Sequence, residues 1–220
     1  MTIVLVMLTI IITVLLDVLL VAHRRVRARE ARGEVEGVVG EPHIPQGVFL
    51  DNGHAWVRVT SEGTLRVGVD QLLADLLGQV DEVKLLARGT RVRRGDPLIR
   101  LRVGGRELVM RSPVAGDVVL LNERVRERPW LAAWDPYGAG WMVGMWSRDL
   151  KSAITPLRVG GGATAFLRAE LGRIIDFVSR AHAPATSPVF GDGALLRRGA
   201  LTMLDNEAWE RFQEQFLVIA

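Results

Sequence analysis

Residues 97 to 121 read PLIRLRVGGRELVMRSPVAGDVVLL, and this stretch decides the fold. Two runs of strand-type residues, 97 to 103 and 106 to 111, flank the pair Gly104-Gly105. A two-residue connection made of glycines suits the positive φ angles of a tight hairpin. Ser112-Pro113-Val114-Ala115-Gly116 supplies the next turn, and DVVLL at 117 to 121 a further strand. The tip of this hairpin carries no reactive side chain.

The same alternation of short strands and turn signals extends upstream. VFL, AWVRV and TLRVGV are separated by Asp51-Asn52-Gly53 and Ser61-Glu62-Gly63, which reads as a β-meander beginning near Gly47. QLLADLLG, residues 71 to 78, places Leu72, Leu73, Leu76 and Leu77 at helical spacing before a glycine suited to a C-cap. A strand is predicted over 81 to 87. GTRVRRG at 89 to 95 and VGGREL at 103 to 108 are turns, since neither has the GxxxxGK[ST] spacing of a phosphate loop. Downstream, residues 164 to 180 put Leu167, Leu171, Ile174, Ile175 and Val178 on one face of an amphipathic helix. AHAPATSP, 181 to 188, reads as a linker. Asp205 is a candidate N-cap for a last helix over 206 to 217, whose Trp209, Phe212 and Phe216 form one stripe. Core packing is the favoured role of that stripe, and a partner groove the other.

Composition narrows the chemistry. A hydrophobic content of 49% over 220 residues is enough to bury a core, and the absence of cysteine removes disulfides, thiolate nucleophiles and cysteine-bearing zinc sites. The histidines, His23, His43, His54 and His182, are too scattered for a local metal motif. Of 28 Lys+Arg and 25 Asp+Glu, residues 1 to 32 hold five and two, so the rest of the chain carries 23 of each and no net charge. The basic excess is a juxtamembrane cluster, which argues against a nucleic-acid partner.

That cluster follows IVLVMLTIIITVLLDVLLVA, residues 3 to 22, an apolar run of the ~20 residues a helix needs to span the hydrocarbon core. Only Met1-Thr2 precede it and arginines follow, so it reads as an uncleaved anchor and not as a cleaved secretory signal. Arg24, Arg25, Arg27 and Arg29 set the topology and meet anionic lipid headgroups. The expected arrangement is single-pass in the inner (cytoplasmic) membrane, with the N-terminus outside and the main domain cytoplasmic. Asp17 lies about one turn from the cytoplasmic end; it is either an interfacial carboxyl reaching toward Arg24 or a contact with a partner membrane subunit. The chain divides into the anchor (1 to 22), a basic segment and linker (23 to 45), a β domain (46 to 150) and a helical extension (151 to 220).

Together, HAWVRV (54 to 59), VGVD (67 to 70), LLG (76 to 78), SPVAG (112 to 116), NE (122 to 123) and DPYGAGW (135 to 141) resemble the pattern of the glycine-cleavage H protein family of lipoyl carriers, laid over residues 54 to 141 almost without a gap. The resemblance implies a mainly β, lipoyl-like barrel-sandwich hybrid, here with an N-terminal transmembrane helix and additional C-terminal α-helices. In that family the hairpin tip carries a lysine, within a motif like ESVKA, whose amine is acylated by lipoate. Counting back from Ser112-Pro113 lays Arg102 to Arg106 on this motif and Gly105 on the lysine. An arginine cannot substitute, because its guanidinium stays protonated. The only two lysines are Lys84, in a strand before the hairpin, and Lys151, beyond the stretch compared. No cofactor is expected.

The stretch before DPYG, acidic in that family, reads Arg124-Val125-Arg126-Glu127-Arg128-Pro129-Trp130 and is followed by Trp134. Arginine and tryptophan dominate binding hot spots. Arg124, Arg126, Arg128, Trp130 and Trp134, with Asp17, are therefore the candidate partner interface, and burial of the two tryptophans under the C-terminal helices is the alternative. Trp56 and Trp141 match the family's own aromatic positions and are assigned to the core. Asp81, Glu82, Asp135, Ser112 and Ser152 have no recognisable acid, base or nucleophile partner, so no catalytic or metal-binding residue is named. The function expected is a non-catalytic accessory subunit bound to integral membrane proteins. One N-out helix followed by a cytoplasmic β domain is a layout similar to the H subunit of photosynthetic reaction centres, which suggests an energy-transducing complex of photosynthetic or respiratory type. An acyl or lipoyl carrier using a non-standard lysine and a membrane-fusion-type adaptor are the alternatives.

Overall fold

The structure, a computed structural model, describes residues 37–181 and 196–219. The apolar run 3 to 22 with Asp17, the arginines Arg24, Arg25, Arg27 and Arg29, and all but the first residue of the linker 181 to 188 lie outside the described residues. Among the described residues no helix is long and apolar enough to cross a membrane.

The predicted meander forms strands β1 (Val48–Leu50), β2 (Ala55–Val59) and β3 (Leu65–Val69), followed by helix α1 (Gln71–Leu77). Strands β4 (Glu82–Leu85), β5 (Arg91–Val92), β6 (Pro97–Val103), β7 (Arg106–Arg111) and β8 (Gly116–Leu121) come next. Two short helices, α2 (Glu123–Glu127) and α3 (Leu131–Trp134), lead to β9 (Val143–Trp146), α4 (Leu150–Ile154), β10 (Arg158–Val159) and the long α5 (Gly160–Ala181). A 3-10 turn (Ala200–Met203) and α6 (Asn206–Phe216) complete the described chain.

All strand pairs are antiparallel, in a large sheet ordered β10-β1-β2-β3-β9-β8-β5 and a small one ordered β4-β6-β7. Alternation along the strands explains the core. Leu65, Val67 and Val69 of β3, Leu101 and Val103 of β6, and Leu108 and Met110 of β7 are fully buried, while Arg66, Arg100, Arg102 and Glu107 point outward. The expected mainly β architecture with C-terminal helices is the one observed.

The outer face of the large sheet is covered at one end by residues 135 to 141. Trp56 sits opposite Gly68, where a Cβ would come within 2.8 Å of the indole nitrogen. Its Nε1–H donates to the Pro136 carbonyl (3.1 Å), and Tyr137 packs on its ring at 5.8 Å. Asp135 folds the loop back by accepting the Gly138 and Ala139 N–H groups at 3.1 and 2.6 Å. The Tyr137 hydroxyl accepts the N–H of Gln71, at the first turn of α1 (3.2 Å). The Asp70 side chain caps that helix through the Leu73 N–H (2.8 Å), and Gly78 ends it at φ 69°.

Helix α5 starts at Gly160, four residues before the predicted boundary, and its buried stripe is rotated. Ala163, Leu167, Glu170, Ile174, Phe177 and Val178 are buried, whereas Leu171 and Ile175 are only half-buried. The rotation follows from what the helix packs against: Phe177 makes edge contacts with Phe212 at 5.9 Å and Phe216 at 5.5 Å. Trp209, Phe212 and Phe216 of α6 are thus core residues, and Asp205 caps the helix as read, accepting the Ala208 N–H at 2.7 Å. Strand β10, in the stretch read as helical, pairs with β1 through Phe49 and Val159.

His54 lies in the β1–β2 turn at φ 62° and is fully buried. Its Nδ1–H donates to Asp70 Oδ2 at 2.8 Å, and Nε2 faces Glu170 Oε1 of α5 at 3.9 Å. Burial alone would lower the imidazole pKa; the charge and hydrogen bond of Asp70, reinforced by Glu170 and Asp51, outweigh it and raise the pKa above its usual 6.5.

Two outcomes are expected. Phe212→Ala should lower the unfolding free energy by about 3–5 kcal/mol in chemical denaturation, by loss of a buried ring and the cavity left behind. A histidine whose pKa rises on folding adds stability that is complete below its unfolded pKa and fades as pH climbs through the folded one. The stability gap between wild type and His54→Gln should therefore shrink as pH rises above the usual imidazole pKa in urea titrations; a gap that widens would mean the imidazole is held neutral.

Candidate functional site

The β6–β7 hairpin turns at Gly104 and Gly105, with φ angles of 57° and 80°, as the diglycine predicts. Both residues are exposed, and a Cβ added at either would meet no atom within 4 Å. The turn is held from below: the Gly104 N–H donates to Asp81 Oδ2 at 2.8 Å. The flanking strand faces carry ion pairs, Arg100 with Glu107 at 2.5 Å and Arg102 with Glu82 at 3.1 Å. The two residues of the turn thus present backbone alone.

The two lysines sit elsewhere. Lys84 lies on β4 opposite Arg100, half-exposed, with Nζ 3.9 Å from Glu82 Oε1. Three residues of β6 separate Arg100 from Gly104, a span of about 13 Å at strand spacing. Lys151 lies on α4, outside the small sheet that carries the hairpin.

The Arg/Trp segment divides on folding. Asn122 anchors it by donating to the Ala139 and Trp141 carbonyls at 2.9 and 2.5 Å, and by accepting the Arg124 N–H at 3.2 Å. Val125 is buried beneath α2; Arg124, Arg126 and Arg128 are exposed, and Arg126 pairs with Glu123 at 2.7 Å. Trp130 is half-buried against the core, while Trp134, at the end of α3, is 58% exposed. The two tryptophans therefore have different environments, and only Trp134 offers a large open apolar face. Trp56 is in the core as assigned; Trp141 is only half-buried, with the Arg66 guanidinium 4.9 Å from its ring centre.

The side chains considered for catalysis have structural partners. Asp135 folds its own loop, Asp81 holds the hairpin turn, the buried Ser112 hydroxyl donates to the Val114 carbonyl at 2.7 Å, and the Ser152 hydroxyl donates to Asp149 at 2.5 Å.

Two features escaped the sequence reading. His54 has its partners 16 and 116 residues away, at Asp70 and Glu170. Arg106, beside the turn, contacts the C-terminal segment almost a hundred residues on. Neither connection leaves a local pattern.

These elements match known proteins. The family model described as Glycine cleavage H-protein covers residues 48–170, so Lys151 falls inside the family domain and not beyond it. The glycine cleavage system H protein of Aeromonas salmonicida (strain A449) is 35% identical over 100 residues, spanning 46% of this chain and 78% of the relative. The probable glycine cleavage system H protein of Pyrococcus horikoshii is 29% identical over 119 residues, spanning 54% and 88%. The crystal structure of a glycine cleavage system H protein from Mycobacterium marinum shares the fold with a TM-score of 0.51 and 24% identity, covering 57% of this chain and 99% of that one. With the match extending over more than half of its length, the chain belongs to the glycine cleavage H-protein family.

Proposed function

We propose that this chain is a non-catalytic, membrane-anchored accessory subunit, whose H-like domain serves as a scaffold within an integral membrane complex and carries no lipoyl group. The observation that carries the reading is the hairpin tip. A lipoyl arm is joined through a lysine amide, and Gly104 and Gly105 offer exposed backbone where that lysine belongs. A lipoyl group does not fit the residues present there. The apolar run 3 to 22 with its following arginines supports the anchor, and Asp17 within that run supports a partner in the membrane. The open face of Trp134 and the exposed Arg124 and Arg128 supply the kind of surface on which a partner subunit docks. An energy-transducing complex of photosynthetic or respiratory type is the setting that agrees with a single outward N-terminus and an inward domain.

The family relation favours a second reading, in which the chain remains a carrier and the half-exposed Lys84 takes the acyl group. Purification from native membranes in mild detergent, with intact-mass measurement, separates the two. The scaffold reading expects the unmodified mass of 24.3 kDa and co-migrating integral membrane subunits. A lipoyl or other acyl adduct on Lys84 or Lys151 would establish the carrier, and a chain migrating alone would end the subunit reading. Trp134→Ala should weaken retention in the complex by about 2 kcal/mol, roughly 30-fold, while leaving the melting of the domain unchanged.

A further inference from the structure

Strand β7 is an edge of the small sheet, and an edge strand exposes a row of backbone donors and acceptors. Here the row is covered by the chain's own C-terminal segment, which lies beyond the family domain. The Trp209 Nε1–H donates to the Glu107 carbonyl at 3.0 Å, and Gln213 Oε1 accepts the Val109 N–H at 3.0 Å. Arg106, the first residue after the diglycine, spreads its guanidinium over the end of the 3-10 turn. Nη1 donates to the Leu204 carbonyl at 2.5 Å, and Nη2 to the Thr202 and Leu201 carbonyls at 2.8 and 3.2 Å. The same guanidinium lies 4.4 Å from the Trp209 ring centre. A planar cation against the carbonyls at the end of a helical turn is a favourable pairing of charge and dipole.

The other end of the segment is clasped to where the chain enters the domain. The Val39 N–H donates to the Leu196 carbonyl at 2.7 Å and the Arg198 N–H to the Gly37 carbonyl at 2.8 Å, around the bridge between Val38 and Arg197. The Arg198 guanidinium pairs with Asp75 of α1, and the Gly199 N–H donates to the Asp75 carbonyl at 2.8 Å. The segment crosses α1 backbone to backbone: a Cβ on Gly78 would stand 2.8 Å from the Gly199 Cα.

We propose that the hairpin edge is an interaction surface whose occupant is residues 196–217 of the same chain, forming a strap that closes the hairpin and couples its tip to residues 37–39. Recognition is by backbone groups and one arginine fork, with the aromatic stripe of α6 seating the strap on α5. A macromolecule approaching the hairpin therefore meets the strap's outer residues, including the exposed Met203, instead of a free strand edge. The inference stands whether or not the domain is a membrane scaffold, because every contact lies within the described residues 37–181 and 196–219.

Hydrogen exchange by mass spectrometry on the full-length chain in detergent tests it, using wild type, Arg106→Gln and Trp209→Phe. Arg100→Gln is the control, since it removes an arginine from the same hairpin that does not touch the strap. Release of one clasp should raise exchange about tenfold or more both at Leu108 and Val109 and at Val39, Arg198 and Gly199, with β1–β3 protection and the control unchanged. Faster exchange at the hairpin alone would remove the coupling. Unaltered exchange in both variants, or simultaneous loss of protection across β1–β3, would overturn the strap, because the segment would then be idle or simply core.

Discussion

The close approach of Trp56 to Gly68 is the constraint on which the outer half of the domain depends. The indole fits because residue 68 has no side chain, and once seated it presents its N–H to the Pro136 carbonyl. Arg58 adds a second tie to the same loop by donating to the Tyr137 carbonyl at 3.0 Å. The loop 135 to 141 then provides the carbonyls that hold Asn122, and Asn122 begins the segment ending at Trp134. A packing detail between two neighbouring strands thus fixes the orientation of an exposed tryptophan more than sixty residues later.

How much of this was legible in the sequence depends on how local the cause is. The meander, the hairpin and α1 are set by turn residues and short-range alternation, and they emerge within one or two residues of their expected bounds. Strand β9 was missed because Gly144 breaks its pattern; its small size is required by the Leu120 side chain, whose Cβ would lie 2.9 Å from a Cβ at that position. The start of α5 was missed because Gly160, Gly161 and Gly162 are poor helix formers, yet the helix extends through them next to β10. The stripe on that helix was displaced because periodicity does not tell which of two adjoining apolar rows meets Phe212 and Phe216.

The candidate site was legible in a different sense. The pattern shared with the H proteins located the tip and its glycine, but nothing in the residues near position 106 announces a partner in the C-terminal segment. The extension combines two kinds of attachment: apolar seating of Phe212 and Phe216, which is indifferent to direction, and the fork of Arg106, which is not. The first supplies most of the stabilisation and the second fixes the register. The uncertainty between core and interface for Trp130 and Trp134 had the same origin, since it turned on contacts that only the folded chain defines.

The conformation of the diglycine turn restricts what the tip can carry. Both residues occupy the left-handed region, which glycine enters freely and a residue with a Cβ enters at a cost of roughly 1–2 kcal/mol. A lysine placed at 105 would therefore add an amine while straining the backbone that presents it. The turn is therefore selective by backbone and not by space: there is room for a side chain at either position, but only a residue that accepts a positive φ fits without rebuilding the main chain.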